Sequence, residues 1–256
     1  MRGNFHKIFP LSVNFAIILF SLRKEKVMLK YILFDLDDTI FDFAKAERAA
    51  ITETFTELGI APTEENIERY SRINRRCWDG FERGELARER LIILRFELLF
   101  AELSLNNLSP EEAQRIYEWA LGGQHHFIEG AEDMLAELCE KYELYAVTNG
   151  LYSVQSRRIK DACLDRFFKG YFISEELGYS KPDRRFFEAA FATIPHFDKS
   201  EAIVIGDSLQ SDILGGKNAG VRTCYYNPNS KENKGKIIPD YEIKNLRELR
   251  RLTEEI

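Results

Sequence analysis

The chain has 256 residues, enough for one large domain or two modest ones. Its 36 basic residues against 42 acidic ones leave a formal charge of −6, which argues against polymeric nucleic acid held by a basic surface. A hydrophobic content of 45% and a charged content of 30% are those of an ordinary soluble globular protein.

The first 27 residues differ from the rest. They carry a net charge of +4 (five basic residues against Glu25), flanking the apolar stretch Ile8–Leu22 that Pro10, Ser12, Asn14 and Ser21 interrupt. That stretch is short for a bilayer span, which needs about 20 residues. It resembles the apolar part of a signal peptide, yet no small-residue cleavage site follows it. Met28 then opens the first strand pattern. Two readings stand: an upstream start that the native protein lacks, or an uncleaved membrane-associating segment. The first is preferred, and the segment is left out of the fold.

From Met28 onward, strands and helices alternate. Strand patterns cover Tyr31–Phe34, Leu144–Val147, Tyr171–Ile173, Ile203–Ile205 and Val221–Tyr226. Helical periodicity covers Ala131–Lys141, Val154–Ala162, Pro182–Thr193, Gln210–Ala219 and Leu246–Leu252. Short strands separated by such helices predict an α/β fold, a doubly wound and mainly parallel sheet. Residues 43–127 carry only helical patterns: Ala44–Leu58, Glu64–Arg76, Leu86–Leu103 and Ser109–Leu121, punctuated by Pro62, Gly80, Gly84 and Asn106-Asn107. They predict an all-helical domain inserted into a core made of 28–42 plus 128–256, with Gly122-Gly123 and Gly130 as candidate hinges, or Gly130 as the start of the next helix. Cys77, Cys139, Cys163 and Cys224 are too widely spaced for a zinc site and read as reduced thiols of a cytoplasmic protein, buried as small hydrophobes.

Ligands of a doubly wound sheet sit at the carboxyl ends of its strands. Four segments stand at such ends. Asp35-Leu36-Asp37-Asp38-Thr39 follows the first strand, and period-two alternation places Asp35 and Asp37 on one side. Clustered carboxylates beside a core need a cation or a proton. Thr148-Asn149-Gly150 offers a hydroxyl and backbone amides at a helix start, suited to a phosphate. Lys181 precedes Pro182, which is read as the first residue of a helix. Gly206-Asp207-Ser208 and Asp212 follow the buried run Ile203–Ile205.

In this order and spacing the four segments resemble the haloacid-dehalogenase-like superfamily of hydrolases, over Met28 to the C-terminus. Ile173–Pro182 and Ser211–Gly216 are similar to the bacterial pyrimidine 5′-nucleotidase group within it. The resemblance implies a Rossmann-like core with a helical cap, and a Mg2+-dependent phosphatase acting on a small phosphorylated metabolite. It implies Asp35 as the nucleophile that becomes an aspartyl-phosphate, and Asp37 as the acid and base. Mg2+ would be held by the Asp35 carboxylate, the Asp37 carbonyl and Asp207, with Asp212 and Ser208 behind them. Lys181, Thr148 and the amides of Asn149 and Gly150 would bind the phosphoryl group.

Nucleoside 5′-monophosphates, pyrimidine or noncanonical, are the expected substrates. Phosphosugars, phosphoglycolate and a phosphomutase reaction are the alternatives. A 2-haloacid dehalogenase would need neither a metal nor an acid at Asp37, and a non-catalytic module would not require every reactive residue type. Specificity is expected from the cap, where Trp78, Arg75 and Arg88 are the candidates. His6, His125, His126 and His196 lie outside all four segments. No stable membrane association is expected.

Overall fold

The computed structural model describes residues 28–256 apart from Lys234 and Lys236, so both readings of residues 1–27 lie outside the described residues. β1 (Tyr31–Phe34) is buried at every position because it lies inside a sheet covered on both faces. The other strands are β2 (Glu143–Thr148), β3 (Phe168–Ile173), β4 (Ala202–Gly206), β5 (Arg222–Tyr226) and β6 (Tyr241–Ile243). The sheet runs β3-β2-β1-β4-β5-β6, and every pair is parallel. The chain winds outward from β1 to β3, then crosses back to begin β4 beside β1. The winding reverses between β1 and β4, which leaves a crevice at their carboxyl ends.

The helices are α1 (Phe43–Glu57), α2 (Glu64–Glu82), α3 (Arg88–Glu102), α4 (Pro110–Gly122), α5 (Ala131–Leu138), α6 (Tyr152–Asp161), α7 (Ser174–Leu177), α8 (Arg184–Thr193), α9 (Leu214–Ala219) and α10 (Leu249–Glu255). Alternation along the strands divides the core. Ile32, Phe34, Leu144 and Ile205 pack with α5, α6 and α10 on one face. Tyr31, Leu33, Val147 and Val204 pack with Phe186 and Phe187 of α8 on the other. Full burial of one such side chain contributes about 1.5–3 kcal/mol. Helices α1–α4 close around a third cluster that includes Phe55, Tyr70, Phe96 and Tyr117.

Two chain crossings join these helices to the sheet and run side by side. The Asp42 amide donates to the His126 carbonyl at 2.8 Å, and the Ile128 amide to the Ile40 carbonyl at 2.9 Å. The rings of Phe41 and Phe127 lie 5.3 Å apart between them. Of the glycines at these crossings, Gly130 has a left-handed backbone (φ 80°) and starts α5. Gly122 and Gly123 are ordinary helix-end residues packed against Arg157.

The five expected strands and nine expected helices appear, with four local corrections. β6 is an added edge strand, only three residues long and with too little pattern to be found in advance. Gly80 does not break its helix: α2 continues to Glu82, and the chain folds back so that the Glu85 amide donates to the Gly80 carbonyl at 2.9 Å. Pro182 precedes the helix rather than starting it, since α8 begins at Arg184 with the Asp183 side chain capping it. Residues 209–213 form a wide π-type turn before α9. Cys77 and Cys224 are buried and all four thiols are free, but Cys139 is half-buried and Cys163 exposed, so burial does not explain those two. Among the described residues no helix is long and apolar enough to cross a membrane.

Candidate active site

The Asp35 amide still pairs with the Ile205 carbonyl (2.9 Å), so Asp35 stands at the sheet's upper edge between β1 and β4. The chain then turns tightly. Both Ile40 and Phe41 amides return to the Leu36 carbonyl, and Asp38 adopts φ 57°. Buried Leu36 anchors this turn, with Asp35 and Asp37 on either side of it.

Lys181 is 2% exposed. Its ammonium donates to Asp35 Oδ1 (2.5 Å), Asp212 Oδ1 (2.7 Å) and the Val147 carbonyl (2.8 Å), which uses all three protons. Burial disfavours the lysine charge, but the Asp212 and Asp35 carboxylates outweigh it and raise its pKa. Asp35 is itself pushed well above the usual carboxylate range by burial, against the pull of Lys181 and with repulsion from Asp212. Burial raises Asp207 in the same way, helped by Asp35 and Asp212.

Carboxylate oxygens of Asp35, Asp207 and Asp212 lie within 4.8 Å of one another. Lys181 pairs with two of the three, Asp35 and Asp212. This hard, all-oxygen donor set, packed where burial disfavours bare carboxylate charge, fits a divalent cation such as Mg2+. Gly206 makes the cluster possible: a Cβ there would sit 2.2 Å from Asp212 Oδ2. Asp212 is fixed by the Ser208 amide at 3.1 Å.

Thr148, at the end of β2, is buried beside the same crevice. Its Oγ1 accepts from Gln155 Nε2 (2.9 Å) and from the Gly150 amide (3.1 Å). The Gly150 amide, expected to face a phosphate, is thus turned onto Thr148. Asn149 grips the neighbouring segment: Nδ2 donates to the Lys181 carbonyl and Oδ1 accepts from the Lys181 amide, both at 2.9 Å. Its side chain therefore joins the β2 loop to the lysine loop. Asp35, Asp37, Thr148, Lys181, Asp207 and Asp212 are brought to one place, as the order of the motifs predicts.

Two residues that the motifs do not contain complete the site. Arg158 Nη1 donates to Asp37 Oδ1 at 2.5 Å, and Gln155 Nε2 donates to Asp37 Oδ2 at 2.8 Å. They stand three apart on α6, hence on one face of the helix that follows the Thr148 motif. Nothing in their order along the chain sets them apart from solvated residues of that helix.

The helical module reaches the site at two points. Ser208 Oγ donates to both oxygens of Glu82 (3.2 and 3.0 Å). Burial, with Asp212 nearby, pushes the Glu82 carboxyl up to about 7. Arg88 Nη2 donates to Ser174 Oγ (2.5 Å) and Ser180 Oγ (2.9 Å), and burial lowers its pKa. Arg88 is thus tied to the core's own serines. Trp78 sits partly buried on the module's cluster, edge-on to Phe81 at 5.5 Å, and Arg75 is exposed on α2. Glu82 was not among the expected cap residues.

A family profile described as haloacid dehalogenase-like hydrolase matches residues 32–226. The chain is 38% identical over 221 residues to the pyrimidine 5′-nucleotidase PynA of Streptococcus pneumoniae, covering 86% of this chain and 93% of that protein. It is 29% identical to the pyrimidine 5′-nucleotidase YjjG of Escherichia coli, over 87% of this chain and 96% of that one. Among solved structures, magnesium-bound YfnB from Bacillus subtilis superposes with a TM-score of 0.84 at 38% identity, covering 88% of this chain and 99% of that one. With the acidic cluster at the β1–β4 crevice and this match across most of its length, the chain belongs to the haloacid dehalogenase-like hydrolase family.

Proposed function

We propose that the protein is a Mg2+-dependent phosphatase that hydrolyses nucleoside 5′-monophosphates, pyrimidine nucleotides first among them. The observation that carries this reading is the division of the two aspartates. Asp35 is held by a lysine within the acidic cluster, while Asp37, two residues on, faces separate donors, Arg158 and Gln155, one of which it releases to act as acid and base.

In the first half-reaction Asp35 attacks phosphorus in line, forming a carboxyl O–P bond as the ester O–P bond breaks. Asp37 gives its proton to the departing oxygen. In the second, water attacks the aspartyl-phosphate, Asp37 takes the water's proton, and the bond to Asp35 breaks to release phosphate. Lys181 orients Asp35 and offsets its charge as the anionic substrate arrives. Thr148 and the Asn149 amide would bind phosphoryl oxygens. Asp35, Asp207 and the Asp37 carbonyl would hold Mg2+, with Asp212 beside them; the ion would neutralise phosphoryl charge and align the phosphate.

The four-helix module would act as the cap that covers the leaving group. Glu82 projects from it toward Ser208, near Asp212 and Lys181. Ionised above about 7, a carboxylate at that position would favour an uncharged nucleoside over a leaving group with its own carboxylate, such as that of phosphoglycolate. Nucleotidase activity in PynA and YjjG, and magnesium in YfnB, support the same choice.

The test is a screen of phosphorylated metabolites with purified full chain. Mg2+-dependent turnover of dUMP, UMP or dTMP, abolished in Asp35→Asn, is expected. Efficient turnover of a small phosphoester with none of the three nucleotides would overturn the nucleotidase assignment.

A further inference from the structure

Arg158 is the largest fully buried side chain among the described residues, and its guanidinium touches three separate parts of the chain. Nη1 holds Asp37 Oδ1 at 2.5 Å and Gln155 Oε1 at 3.0 Å. Nε donates to the Gln124 carbonyl at 2.7 Å. The guanidinium carbon lies 4.7 Å from the centre of the Phe41 ring. Gln124 belongs to the crossing that leaves the helical module, and Phe41 to the crossing that enters it. One planar cation thus bridges both crossings to the carboxylate at the reaction centre. Its Nη2 is buried with no partner, so the guanidinium is not simply a saturated core ion pair.

The second oxygen of Asp37 is also engaged, by Gln155 Nε2 at 2.8 Å. Both carboxylate oxygens therefore face donors from α6. To protonate a leaving oxygen, Asp37 must release one of them. The grip of Arg158 decides how readily that happens, and the position of the two crossings decides where Arg158 sits.

We propose that Arg158 is a positioning residue that ties the orientation of Asp37 to the placement of the helical module over the core. This rests on the phosphatase reading with Asp37 as the acid. A shift of the Gln124 and Phe41 crossings moves the guanidinium, and Asp37 turns with it toward or away from the leaving oxygen. A lysine keeps the charge but cannot span Asp37 and the Gln124 carbonyl with a planar fork.

The experiment compares kcat/KM for dUMP, whose alkoxide needs a proton to leave, with kcat/KM for 4-nitrophenyl phosphate, whose phenoxide does not. Turnover of both by the wild-type chain establishes the phosphatase reading; absence of turnover overturns that reading and this inference together. In Arg158→Lys the value for dUMP is expected to fall about 100-fold, the usual size of a general-acid contribution, and that for 4-nitrophenyl phosphate by roughly threefold at most. Methylguanidinium added to Arg158→Ala should restore dUMP turnover selectively. Phe41→Leu keeps every hydrogen bond to Asp37 and should show the same selective loss in smaller measure, which keeps the test open if the arginine variants do not fold. An equal loss on both substrates would reduce Arg158 to a structural residue, and no loss on either would leave it no role. A Phe41→Leu variant without selectivity would remove the link to the crossings.

Discussion

Glu82 on the helical module accepts the Ser208 hydroxyl of the core, one residue past Asp207 of the acidic cluster. This contact joins a carboxyl raised to about 7 by burial and by Asp212 to the docking of one part of the molecule on another. An exposed glutamate titrates near 4.5. The docked form therefore binds a proton that the separated form has lost between those pH values. Docking is favoured at the acidic end, and that advantage is lost as pH rises through about 7. Melting temperatures of the metal-free protein from pH 5 to 8 should fall with rising pH more steeply for the wild type than for Glu82→Gln. Parallel curves would remove Glu82 from the docking equilibrium. The same variant should gain activity on phosphoglycolate relative to dUMP.

Lys181→Met is expected to be strongly destabilising. Removing the ammonium leaves Asp35 and Asp212 buried without their shared partner, and breaking a buried ion pair from one side costs about 3–5 kcal/mol. Urea unfolding in EDTA should register this loss. Mg2+ should recover part of it, because the ion supplies positive charge to the same carboxylates. A variant as stable as the wild type without metal would contradict the charge balance assigned to the cluster.

Gly206→Ala probes the close approach of Asp212 to the backbone. The added methyl would meet Asp212 at 2.2 Å, so the carboxylate must move. Displacing a group that orients metal ligands typically costs 10- to 100-fold in affinity, and calorimetric titration should show Mg2+ binding weakened by about that factor. An unchanged affinity would place Asp212 outside the metal's surroundings.

Arg88→Ala separates docking from substrate contact. Two serine hydroxyls lose their donor, at about 0.5–1.5 kcal/mol for each hydrogen bond. The helical module should then sample more open arrangements, visible as a larger radius of gyration in solution scattering and a raised KM for every phosphoester. A defect confined to nucleotides would mean that Arg88 reads the nucleoside instead.

Much of the site was legible because its chemistry is local. Asp35, Thr148 and Asp207 each sit at or just past the end of a buried strand, where an apolar run that stops at a polar residue is visible in one dimension, and Lys181 follows the short helix α7 after β3. A parallel sheet then brings strand ends together, so order along the chain was enough to place them at one crevice. The short edge strand β6 and the extension of α2 through Gly80 escaped for a related reason. A three-residue strand carries almost no periodicity, and whether a glycine breaks a helix depends on what packs against it.

The contacts made by single side chains across long separations were a different matter. Arg158 reaches Asp37 across 121 positions and Glu82 reaches Ser208 across 126, and neither pair leaves a spacing that periodicity can register. Arginine and glutamate also belong to the residue types most often found in solvent, so a solvated surface was the natural expectation for both. Amino-acid order by itself determined which carboxylates, lysine and hydroxyl gather at the β1–β4 crevice, because strand ends and backbone reach set those positions. Only the packed structure decided which donors restrain Asp37 and which carboxyl of the helical module meets Ser208, because those choices depend on burial and on the docking of the helical module against the sheet.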